Sequence, residues 1–191
     1  IVLGTKRKAL SGERMDNFEK VKARVDDVIL FAGFMARTKF VGINLPMDSN
    51  FIGKYGSQIT LFNQPNDLRL KEQIMPTFNS VFPETFREEY TYEDLRRGYL
   101  RAVALHELAH SFLCYKHASE NLKDLFSAIY ELAATVLGMR LAGSLLLKER
   151  ITEKMLESMI ITFLCRSFHY MRQNRVNNPM INYVIGGAIF V

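Results

Sequence analysis

The segment that most constrains this chain runs from Tyr99 to Tyr115 and contains His106-Glu107-Leu-Ala-His110. On an α-helix, residues four apart project from one face about a turn apart, so two imidazoles at this spacing can grip one Zn²⁺ ion. Glu107, one position after the first histidine, then sits within reach of a water at the same ion. The flanking sequence supplies the helix. Thr91-Tyr-Glu-Asp94 reads as a capping box, and no proline and only one glycine, Gly98, follow before the motif. Leu100, Val103, Ala104, Leu108, Phe112 and Leu113 keep an apolar stripe through it, which predicts a half-buried helix.

Zinc in a catalytic site needs a third protein ligand and one open position. A third histidine six residues after the second is absent: Lys116 stands there, and His117 is one place off. A carboxylate from a later helix is the other solution. The run Glu120 to Ala142 is apolar at Leu122, Leu125, Phe126, Ile129, Leu132, Ala133, Val136 and Leu137, with Gly143 as its expected end. Glu131 is the acidic residue in the inner half of that helix. A carboxylate among apolar neighbours is costly unless it is paired or metal-bound. Either an ion pair with Arg140 or another base, or a metal, satisfies that requirement.

The 191 residues, 48% of them apolar, are enough for one domain with a real core. Its expected parts are a leading helix within 1–38 (Ser11 to about Thr38), strands and loops over 39–90, and a helical zinc-binding part over 91–191. Lys39-Phe-Val-Gly-Ile-Asn-Leu-Pro46 is predicted as a strand ending at its proline, and Ser57 to Asn63 alternates like a second. Gly53 and Gly56 mark turns, Pro65 and Pro76 bracket a short helical piece, and Pro83 closes a loop. A last helix runs from Thr152 to about Asn174, with Met155, Met159, Ile160, Phe163, Leu164 and Phe168 on its apolar face. The expected fold class is therefore α+β, mainly α, with a small sheet beside the zinc helix. Cys114 and Cys165 lie among apolar residues and read as buried thiols of a reducing, cytoplasmic setting.

The net charge of +5 is scattered among acids, so solvation accounts for it, and no nucleic-acid partner is expected. The basic stretch Arg166 to Arg175 has few aromatic platforms beyond Phe168, Tyr170 and Tyr183. No membrane contact is expected either, the sequence reading as free of any apolar run of spanning length.

The order Gly42-Ile-Asn-Leu-Pro46, Gly56, Asn63, the His-Glu-x-x-His helix and a helix bearing Glu131 resembles the dipeptidyl-peptidase III family of zinc exopeptidases. Its nearer likeness is to the Nudix-associated members with the shorter zinc motif, and it covers residues about 40 to 140 best. The resemblance implies a gluzincin-like catalytic domain, Zn²⁺ as cofactor, and a peptide substrate whose backbone or free amine meets Gly42 and Asn44. It also implies a downstream catalytic histidine, for which His169 is the nearest match, and a larger protein whose other cleft wall precedes residue 1. This sequence departs from the family pattern at Met47, where an asparagine is usual, and at Tyr130 and Thr135, where carboxylates are usual. Those departures define a second expectation: a family member that keeps the metal but acts as a binding or regulatory module. If catalysis holds, Glu107 is the general base, and Tyr130, Tyr170 or His169 would assist the oxyanion.

Overall fold

The computed structural model describes residues 21–30, 32, 40–46, 51, 54–113 and 117–172. Among these, three strands form a mixed sheet in the order β1-β3-β2: β1 Lys22–Asp26, β2 Gly42–Leu45 and β3 Gln58–Phe62. The helices are α1 Asn63–Arg69, α2 Met75–Val81, α3 Glu84–Arg87, α4 Tyr92–His110, α5 Ala118–Leu122, α6 Phe126–Leu147 and α7 Glu153–Arg172. A mainly helical α+β architecture is thus observed.

The central strand β3 pairs antiparallel with β2, Gly42 opposite Leu61 and Asn44 opposite Ile59. Residues directly opposite share a face, so these four side-chain positions lie on one side of the sheet. Ile59 and Leu61 are buried there with Val103 and Leu95 of α4, whereas Leu45, on the other face, is half exposed. The period of two therefore aims Gly42 and Asn44 at the zinc-motif helix.

β1 corrects the leading-helix expectation. Residues 22–26 pair parallel with β3, and most of their side chains are exposed. An edge strand held by backbone pairing carries little hydrophobic pattern, so Val21, Val25 and Val28 could pass for a helical stripe. Residues 21, 27–30 and 32 of that expected helix are not helical either, and the rest of it, with Met47, Gly53 and Cys114, lies outside the described residues.

The segment after β3 is more helical than expected. It runs from Asn63 to Val81, widening into π turns over Leu70–Ile74 before Pro76. Proline cannot donate to the carbonyl four residues back, and a local π widening is one way to absorb that. Asn63 donates to Asp27 and accepts from Arg96, and Arg96 also pairs with Asp67 at 2.7 Å. It thus ties the sheet to α4.

The predicted capping box starts α4: Thr91 Oγ1 accepts from Asp94 N, and the Asp94 carboxylate accepts from Thr91 N. The helix ends at His110, so Phe112 and Leu113 are buried just past it rather than along it. Helices α6 and α7 and the sheet all pack on α4. Gly98 is needed for this, because a β-carbon there would stand 2.6 Å from the backbone of Ser158 in α7.

The helix expected over Glu120 to Ala142 is broken by a left-handed Lys123 and a 3₁₀ turn, and α6 then continues past Gly143. A glycine alone costs a helix only about 1 kcal/mol, and nothing crowds this one. The helix ends instead at Leu147, where Glu149, just past the cap, takes positive φ while its N–H and that of Arg150 close onto Leu146 and Leu145. Ala118–Leu147 is long and apolar enough to cross a membrane by length and composition, which corrects the expectation that no run reaches that length. Its buried positions, Ala134, Thr135, Gly138 and Ala142, form the flank of α6 that includes its contact with α4. The last helix begins within one residue of expectation and continues through Arg172, the last described residue. Cys165 is buried in it, and burial pushes its thiol up to about 12.

Candidate metal centre

His106 and His110 leave the same face of α4, one turn apart, and α6 brings Glu131 to meet them. His106 Nε2 is 3.1 Å from Glu131 Oε2 and 3.2 Å from His110 Nε2. His110 Nε2 lies 3.5 Å from Glu131 Oε1. Two ligand atoms bound tetrahedrally at usual zinc distances stand about 3.4 Å apart. The three contacts lie near that spacing, each histidine meeting a different Glu131 oxygen; one ligand atom from each residue falls within 4.8 Å of the others, and the donors are the types zinc accepts.

The electrostatics also suit a cation. Burial, then the neighbouring His106, hold the His110 imidazole down at about 4, against a smaller opposing pull from Glu131. His110 therefore presents an unprotonated ring at neutral pH. Burial acts to raise Glu131, but its hydrogen bond to His106 and the charges of His106, His110 and Arg166 outweigh it and hold the carboxyl below its usual range. A ready anion faces the unprotonated His110 ring.

These shifts fix a pH dependence. An imidazole held near 4 in the fold but titrating near 6.5 when unfolded takes up a proton on unfolding, so its contribution is complete above 6.5 and fades as pH falls towards 4. Glu131, with a depressed carboxyl, contributes in the same direction. The metal-free protein should lose up to about 3 kcal/mol across that window from His110. Because Glu107, with its raised carboxyl, acts in the opposite direction, denaturant midpoints that stay level from pH 7 to pH 4.5 in a Glu107→Gln background, or a His110 ring titrating near 6.5 by NMR, would contradict this.

Glu107 points to the sheet side. Its carboxyl is raised above the usual range, chiefly by burial and further by Glu131, against lowering by His106 and Arg166. Gly42 of β2 lies against it: a β-carbon there would come within 2.9 Å of Glu107 Cγ and 3.0 Å of Oε1. Glycine at this position leaves room for the carboxylate. Asn44 is buried one residue pair along, where its Nδ2 donates to Glu107 O at 2.6 Å and to Ser111 Oγ at 2.7 Å. Ser111 in turn meets Ser57 at 2.9 Å. The Asn44 amide group thus fastens β2 to the last turn of α4, and its Oδ1 is buried without a hydrogen-bond partner among the described residues.

The structure brings together His106, His110, Glu131, Glu107, Gly42 and Asn44. It does not bring His169 into the metal cluster; that ring sits on α7 beside Tyr170, centroids 6.0 Å apart. Tyr130 braces instead of facing substrate: its ring stacks on His110 at 4.6 Å, and its hydroxyl donates to His110 O. Two residues were not assigned a role from sequence. Arg166 of α7 shares with His106 and Thr135 the lining of a crevice between α4, α6 and α7, and its charge acts on Glu107 and Glu131. Gly138 of α6 lets that helix approach α4, a β-carbon there meeting His106 N at 3.1 Å. A glycine in mid-helix is the signal that could have marked the second; nothing local marks the first.

No protein-family profile matches the chain, and no curated protein matches it. Among solved structures, it is similar to DPP III from Caldithrix abyssi, with a TM-score of 0.67 at 19% identity. The match covers 95% of this chain and 38% of that one, so the chain spans well under half the length of that neighbour. At this identity the likeness is one of fold.

Proposed function

From a fold similar to DPP III and a His-His-Glu triangle of zinc dimensions, we propose that this chain is the metal-binding part of a zinc-dependent metallopeptidase. The observation that carries the reading is the convergence of Glu131 on His106 and His110 from a separate helix. These three residues would hold the ion. Bound zinc supplies Lewis acidity toward a water and a peptide carbonyl. Glu107 takes the proton of the attacking water at its carboxylate and passes it to the leaving amine, a role suited to a partly desolvated carboxyl. Gly42 and Asn44 line the approach from β2. Asn44 Oδ1 is unpartnered but buried, so it accepts from a peptide's free amine, and favours cleavage near an amino terminus, only where β2 and α4 part to admit it.

One observation favours a second reading, a metal-keeping binding or regulatory module: the Asn44 amide donates to Glu107 O and to Ser111 Oγ, leaving its one buried acceptor for substrate. Hydrolysis of unmodified and N-acetylated peptides by zinc-loaded protein, with and without a chelator, separates the two. Chelator-sensitive cleavage that requires the free amine supports the peptidase. Stoichiometric zinc with no cleavage of either peptide set would leave the binding module. We place the protein in the cytoplasm, consistent with a free buried thiol at Cys165.

A further inference from the structure

We infer that Thr135 is the positioning residue that commits His106 to metal binding through Nε2. Thr135 is buried on α6, one turn after Glu131, and its hydroxyl stands between two partners. Thr135 Oγ1 is 3.0 Å from Glu131 O and 3.2 Å from His106 Nδ1. A hydroxyl has one proton and two lone pairs. In a helix that proton goes to the carbonyl one turn back, which is the ordinary bond of an interior threonine. The oxygen is then left as an acceptor, so Nδ1 of His106 must carry the proton that meets it. With an ion taking the place of the Nε2 contact to Glu131, the lone pair of a neutral ring is thereby confined to Nε2, the atom that faces His110 and Glu131.

One side chain therefore acts on two of the three metal-binding residues. It anchors to the backbone of Glu131 and sets the tautomer of His106, coupling α6 to α4 at the centre. Gly138, on the same flank of α6, permits the close approach that this reach needs. A hydroxyl does so without charge. It orients the imidazole but lends it less basicity than a carboxylate partner would.

This inference rests on the zinc reading, and its test keeps the two apart. Zinc affinity is measured by chelator competition for the wild type, Thr135→Val and Thr135→Ser, alongside spectra of the zinc-loaded proteins with ¹⁵N-labelled histidine. Valine keeps the shape and removes the acceptor. Affinity should fall by roughly 10–100-fold in Thr135→Val, the usual loss for an outer partner of a ligating histidine, and return in Thr135→Ser. The wild-type spectrum should show His106 bound through Nε2 with an Nδ1–H slow to exchange; that exchange should quicken in the valine variant and slow again in the serine one. Unchanged affinity and exchange in Thr135→Val, or coordination through Nδ1 in the wild type, would overturn the role of Thr135 while leaving the zinc site standing. If Thr135→Val does not fold, the wild-type coordination atom and the serine variant still decide. Absence of zinc binding by the wild type would defeat the metallopeptidase reading and this inference with it.

Discussion

Glu131→Ala is expected to leave the purified protein with far less than one zinc per chain, where the parent holds one. The variant removes one corner of a triangle whose remaining side, His106 to His110, spans 3.2 Å. Two imidazoles from a single helix turn do not make the three protein ligands that a catalytic zinc site uses. The affinity loss should exceed the roughly 10–100-fold typical of residues that act through a ligand. Metal analysis after dialysis, with circular dichroism to show that α6 persists, checks it. Full zinc retention would mean that the two helices do not share an ion, and the proposed hydrolase would go with it.

Glu107→Gln should have the opposite profile: zinc content near that of the parent, but peptide turnover lower by about 10²–10⁴-fold, the range associated with a positioned general base. Glutamine is nearly isosteric with glutamate, so the fit beneath Gly42 is preserved and only the proton-accepting charge is lost. Steady-state hydrolysis and metal analysis on the same preparation give both numbers. Turnover surviving within a factor of a few would remove Glu107 from the chemistry. Together the two variants divide the hypotheses, since a binding module would respond to the first and be indifferent to the second.

How far the site was legible in the chain depended on the range of the interaction. His106, Glu107 and His110 were readable because helix geometry fixes the relation of residues one and four apart, and the Thr91–Asp94 capping box set the helix start. Glu131 was readable for a different reason: a lone acid among apolar neighbours needs a partner wherever it goes. Gly42 and Asn44 were found through their pattern, but what they touch was not. The amide of Asn44 turned out to be spent on Glu107 O and Ser111, and the place of Gly42 is to clear space for the Glu107 side chain. β1 was misread because an exposed edge strand owes its existence to backbone bonds made with residues more than thirty positions away.

The chain by itself determined α4, α7 and most of α6, the presence of β2, and the identity of three groups able to bind a metal, because each follows from local periodicity, a proline stop or the cost of burying charge. Only the tertiary structure decided that those groups converge, that Tyr130 and Thr135 back the two histidines, and that His169 stays away from the cluster. Convergence is a matter of how closely two helices pack. Here that distance is set by glycines such as Gly138, whose effect appears only against the backbone of the neighbouring helix.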